Sequence, residues 1–160
     1  MLEQQEYIGL LIGAARRRLK QAVVAHLVPH RLSTQQFWIL LAIRDLPGAS
    51  LGAVAERQRL DLPTVSRVVT SLCERDLVVL ERSLDDRRRA SVKLTAKGET
   101  LTRKLQPIAD STRGAVVQGL SNGEQETLRK LLRKVITNLD AHVAVAHAPQ
   151  PVAKRKAVRA

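Results

Sequence analysis

Residues 85–94 read DDRRRASVKL, and no other stretch constrains the fold as tightly. The runs on either side, LVVLER (77–82) and ASVKLT (90–95), have strand character, with Val92 and Leu94 alternating against Ser91, Lys93 and Thr95. Two strands joined by a charged turn make a hairpin, and its tip carries Arg87, Arg88 and Arg89. The rest of the 160 residues reads as helix or loop. The expected fold class is therefore mainly α with one small β-hairpin.

Apolar residues at Ile8, Leu11, Ile12, Ala15, Leu19, Ala22, Val23 and Leu27 fall at helical spacing and predict a first helix over 3–28, stopped by Pro29. The stretch STQQFWILLAIRDLPG opens with Ser33 and Gln36 at capping-box spacing and closes at Pro47-Gly48. Its centre, 37–43, is apolar nearly all round, as in a helix buried under its neighbours. Ser50 caps a short helix containing Leu51, Val54 and Ala55. Pro63 suits a first helical turn and opens PTVSRVVTSLCERD. There Val65, Val68, Val69 and Leu72 form an inner stripe, with Thr64, Arg67, Ser71 and Arg75 on the other side. Two long helices close the chain. The first, over 96–118, uses Leu101, Leu105, Ile108, Ala115 and Val116 as one face and is expected to kink at Pro107. The second starts at a capping box of Ser121 and Glu124 and carries Leu128, Leu131, Leu132, Val135, Leu139 and Val143 in a narrow, near-heptad seam.

Charge points to the partner. A formal net charge of +12 calls for a polyanion, with nucleic acid ahead of an anionic membrane surface. Part of the excess sits in PVAKRKAVRA (151–160), which has no apolar period and reads as a disordered basic tail. A single cysteine, Cys73, excludes an internal disulfide framework, and in a helix beside Leu72 it reads as a small buried hydrophobe. The four histidines lack zinc-site spacing, so neither a metal nor a cofactor is expected. No run reaches the ~20 apolar residues of a membrane span, and the N-terminal charges follow the apolar stretch instead of preceding it. Cytoplasmic location is the expectation. Tyr7, Phe37 and Trp38 are too few to build stacking platforms for single strands. No Ser, His or acid stands in a motif where a base activates a nucleophile, so no catalytic residue and no enzyme are expected.

Three helices, the last pair joined by a tight turn, followed by a basic hairpin, make the order of a winged helix-turn-helix. A helix about 10–12 Å across fits the major groove of DNA. One face must pack while the other offers hydrogen-bonding groups, and the helix over 63–75 divides in that way. The hairpin's guanidinium groups suit the neighbouring minor groove, where negative potential concentrates. Asp85 or Asp86 would hold an arginine fork by bidentate pairing and stiffen the tip.

Residues 50–98 resemble the core of the MarR family of bacterial transcription regulators, most closely its SlyA-type branch. The elements DDRR and VKLTAKG are similar to the family's wing signature, Asp-Arg-Arg followed by a strand and Leu-Thr-x-x-Gly. The resemblance extends over about 5–145. It implies a homodimer on a short palindromic duplex, acting as repressor or anti-silencer. By that likeness Arg88 is the wing arginine and Asp86 its acidic partner, and Pro63, Thr64, Ser66 and Arg67 meet the major groove. Ser50, Thr70, Ser71, Arg87 and Arg89 complete the expected DNA-binding set. The likeness also implies a small aromatic carboxylate effector in a cleft that Trp38 would line. The organisation expected is one regulator domain over 1–148, with dimerisation helices in 1–30 and 100–146 around a DNA-binding core at 33–98, then the basic tail at 149–160. The family pattern has glycine where this chain has Arg59 and Asp76, which predicts a different local shape at Arg59. The alternative reading is an architectural DNA-binding protein without operator preference.

Overall fold

The computed structural model describes residues 6–82 and 90–146. The expected wing-tip residues Asp86, Arg87, Arg88 and Arg89 and the tail at 149–160 lie outside the described residues. The elements run α1 (Ile8–Leu27), a 3-10 turn (Val28–His30), α2 (Thr34–Asp45), α3 (Leu51–Gln58), α4 (Leu62–Glu74), β1 (Val78–Arg82), β2 (Ala90–Leu94), α5 (Ala96–Val117) and α6 (Asn122–Ala146). The chain divides into two compact units, Met1–Val116 and Val117–Ala160.

In the first unit α2 is the central rod. It buries Phe37, Ile39, Leu40, Leu41, Ala42 and Ile43, as the all-round apolar pattern predicts. Around it pack Val23 and Leu27 of α1, Val54 of α3, Val65, Val69 and Leu72 of α4, Val92 of β2, and Leu105 and Ala109 of α5. The predicted capping box opens α2: the Gln36 N–H donates to Ser33 Oγ at 3.1 Å and the Ser33 N–H to Gln36 Oε1 at 2.9 Å. Two helix boundaries differ from the sequence reading. Tyr7 is extended and α1 begins at Ile8; Asp61 is the N-cap of α4, so that helix begins at Leu62, one residue before Pro63.

The face of α5 also differs. Its buried stripe runs through Gly98, Thr102, Leu105, Ala109 and Thr112, while Leu101 and Ile108 are half-buried and Ala115 and Val116 are exposed. Both threonines are satisfied inside the helix. The Thr102 hydroxyl donates to the Glu99 carbonyl at 3.0 Å and the Thr112 hydroxyl to the Ile108 carbonyl at 2.8 Å, so burial leaves neither hydroxyl stranded.

The hairpin is antiparallel with Leu80 opposite Val92 and Val78 opposite Leu94. It is also tied to the start of α3. The Val92 N–H donates to the Ala49 carbonyl at 2.9 Å, and Ser50 bridges Ser91. An exposed ion pair, Lys93 to Glu81 at 2.6 Å, crosses its face and contributes little in water.

Arg59 corrects one expectation. It takes the left-handed conformation (φ 51°, ψ 45°) that glycine would adopt, so the turn between α3 and α4 keeps its shape. The Arg59 and Leu60 N–H groups return to carbonyls in the last turn of α3, and these bonds hold the residue in a disfavoured well. Relief of that strain exceeds the extra freedom glycine brings to the unfolded chain. Arg59→Gly is expected to stabilise the fold by up to about 1 kcal/mol, read as a higher midpoint in thermal denaturation. An unchanged or lower midpoint would contradict it.

Candidate nucleic-acid interface

The base-reading candidate is α4, and its geometry follows from its sequence. Val65, Val69 and Leu72 stand four and then three residues apart, so they share one side and are buried; Val68 joins them half-buried. Pro63, Arg67, Thr70 and Glu74 are exposed on other faces. Asp61 is the N-cap. Its carboxylate accepts the Thr64 N–H at 2.7 Å and the Thr64 hydroxyl at 2.8 Å. Those two bonds from Thr64, backbone first, hold Asp61 below the usual carboxylate range, with Arg67 adding a smaller pull. A depressed carboxylate stabilises the helix start at neutral pH. That contribution is lost as pH falls below the ordinary carboxylate value and through the lowered one.

The sequence-predicted residues separate into groups. Arg67 does not pair with Glu74; its Nη2 donates to Thr64 Oγ1 at 3.4 Å. Thr70 turns back on its own helix, its hydroxyl donating to the Ser66 carbonyl at 3.0 Å. Ser71 is half-buried and faces α2, accepting from Gln36 Nε2 at 3.0 Å. Thr64, Arg67 and Ser71 nevertheless line a common cleft of about 360 Å³ with Ser33, Gln35, Gln36 and Val68. Ser50 sits apart, capping α3 by accepting the Ala53 N–H at 3.2 Å beside the hairpin.

One residue escaped sequence reasoning, and a second was placed only by its face. Asp61, the first, carried a signal, an acid three residues before Thr64 at the start of an apolar period. Arg75, placed on the outer face, carried no signal of its partners. Its guanidinium donates to the Arg31 and His30 carbonyls at 2.8 and 2.9 Å, tying the end of α4 to the turn before α2.

The remaining candidates are packing residues by geometry. Trp38 is half-buried, with its ring edge-on to Phe37 at 4.6 Å and the Arg113 guanidinium 5.9 Å from its centroid. Cys73 is half-buried against the core, and burial, with Glu74 second, pushes its thiol up, which disfavours the reactive thiolate. Among the described residues no helix is long and apolar enough to cross a membrane.

A helix split between a packed and a polar face, set behind a short helix and before an antiparallel hairpin, defines a winged helix-turn-helix protein. The model of the MarR family matches residues 31–89. Among solved structures, BpsR of Bordetella bronchiseptica, described in terms of the regulation of its DNA binding by 6-hydroxynicotinic acid, is 30% identical. The match covers 80% of this chain and 97% of that one at a TM-score of 0.68. CouR of Rhodococcus jostii RHA1, bound to p-coumaroyl-CoA, is 25% identical over 83% of this chain and 95% of its own, with a TM-score of 0.72. MepR of S. aureus, in a complex with DNA, shares the fold at 22% identity, covering 87% of this chain and 99% of its own with a TM-score of 0.74. The chain belongs to the MarR family of winged-helix transcription regulators.

Proposed function

We propose that the protein is a homodimeric, sequence-specific DNA-binding regulator of SlyA type, a repressor or anti-silencer acting in the cytoplasm and not an enzyme. It reads the major groove with α4 and the minor groove with an arginine-tipped wing. The observation that carries this reading is the division of α4, whose Val65, Val69 and Leu72 are buried while Arg67 stands exposed on another face. The net charge of +12 supplies the sequence-independent attraction to phosphate. Base contacts are assigned to Arg67, Pro63, Thr64 and Ser66. Ser50, Thr70 and Ser71 have the flanking positions, and Asp86, Arg87, Arg88 and Arg89 belong to the wing.

Selection of preferred sites from random duplex DNA tests it. The expected product is a palindrome with half-sites about 34–36 Å apart, and affinity for it should fall steeply with salt. Arg67→Ala and Arg88→Ala should each weaken binding to the selected site by about 1–3 kcal/mol in an electrophoretic shift. Equal competition from unrelated DNA would instead mark an architectural binder.

A second element of the proposal is release by a small aromatic acid. BpsR and CouR support it, each described with an aromatic compound. This chain offers a cleft of about 360 Å³ between the end of α2, β2 and the start of α5, where Ile43, Pro47 and Leu94 meet Arg44, Lys93 and Arg103. Trp38 does not line that cleft. An aromatic carboxylate that shifts the duplex complex at submillimolar concentration would be the expected finding, and insensitivity to every such acid would remove this element alone.

A further inference from the structure

Asp61 heads α4, and the role assigned to it rests on the proposed reading of base edges by that helix. Its two carboxylate oxygens have separate tasks. Oδ1 accepts the Thr64 N–H, as in any N-cap, while Oδ2 accepts the Thr64 hydroxyl at 2.8 Å. A threonine hydroxyl carries a single proton. Once that proton is committed to Asp61, Oγ1 presents only lone pairs, and the Arg67 Nη2 group donates to it at 3.4 Å. Residues 61, 64 and 67 are three apart, so this chain of bonds climbs one side of the helix.

We propose that Asp61 is a specificity-determining positioning residue, which orients Arg67 through Thr64 toward base edges without itself touching DNA. A free arginine samples many rotamers, and those aimed at phosphate add affinity without sequence information. The bonded arrangement removes some of them before the duplex arrives. The carboxylate's charge acts in the same direction. It lies close enough to feel Arg67, and so offsets part of the guanidinium's indiscriminate attraction to the backbone. Thr64 then serves as a link, which accounts for a hydroxyl already engaged on both sides.

The test uses the full chain, the duplex recovered by site selection, and a scrambled duplex of equal composition. Asp61→Ser keeps an oxygen to cap the Thr64 amide but lacks the second oxygen and the charge. The ratio of affinities for the two duplexes is expected to fall about five- to tenfold, while affinity for the scrambled duplex holds or rises. Thr64→Val should lower the ratio similarly, and Thr64→Ser, which retains the hydroxyl, should preserve it. In an Arg67→Ala background Asp61→Ser should not change the ratio further. An unchanged ratio for Asp61→Ser, equal weakening on both duplexes, or an undiminished loss in the Arg67→Ala background would overturn the inference. Failure of the underlying function looks different: the wild type itself would then fail to prefer the selected duplex.

Discussion

Gly98→Ala is expected to destabilise the fold by about 3 kcal/mol or more, lowering the thermal midpoint by roughly 10 °C. A Cβ added at Gly98 would lie 2.0 Å from the Leu77 carbonyl oxygen and 3.0 Å from its carbon. The obstacle is backbone, so no rotamer change relieves it. Nor is Leu77 free to move. Its N–H donates to the Leu72 carbonyl at 3.0 Å and its own carbonyl accepts the Thr95 N–H at 3.2 Å. The other side is equally fixed, because the Gly98 N–H donates to Thr95 Oγ1 at 3.0 Å and the Thr95 hydroxyl donates to the Asp76 carbonyl at 2.7 Å. Relief therefore requires α5 to back away from the root of the hairpin and to break that set of bonds. Thermal or denaturant unfolding of the single variant measures the effect, and a midpoint equal to the wild type would contradict the close approach. The same contact gives a steric reason for glycine at the end of LTAKG.

The second large effect concerns assembly. In α6, Leu128, Leu131, Leu132 and Leu139 are 39% to 57% exposed, at spacings that put them on one side of the helix. Burying a leucine fully is worth about 1.5–3 kcal/mol, so a row of them in water favours pairing with a second copy. Leu131→Glu combined with Leu139→Glu is expected to shift the protein to a monomer in sedimentation at micromolar concentration. Operator affinity should fall by about 100-fold or more, because the second head no longer binds at the high effective concentration a dimer supplies. Circular dichroism separates this from unfolding. Helix content should persist, since the charged face and the Ser121–Glu124 capping box are untouched; the Ser121 N–H donates to Glu124 at 2.8 Å and the Glu124 N–H to Ser121 at 3.3 Å. A variant that remains dimeric would place the dimer interface elsewhere.

Features set by local periodicity were legible in the sequence. Both capping boxes, the buried centre of α2, the packed stripe of α4 and the hairpin follow from spacing alone, because each depends on residues close together in the chain. What failed depended on hydrogen bonds, some within a single helix and some far along the chain, that an apolar period does not encode. The stripe of α5 passes through Thr102 and Thr112, which count as polar in any periodicity search, yet each hydroxyl is satisfied by its own helix. Arg59 adopts a conformation that its side chain disfavours because the helix-end bonds around it prevail. Arg75 belonged to the outer face by spacing, but carbonyls 44 and 45 residues away in the chain capture it. In the candidate site, Arg67 was legible as an exposed cation, whereas the bonds that aim it were not. They need the distances between Asp61, Thr64 and Arg67, which spacing does not supply.

The stitching of Val92 to Ala49 and of Ser91 to Ser50 has a consequence for control. Hairpin and helix start are sewn together, so each reading head turns as one block and offers an incoming signal few internal joints to bend. Under the proposed release by a small aromatic acid, induction is a matter of spacing. A small molecule would work by altering the gap between two intact blocks, leaving the grip of each on its own half-site as it was.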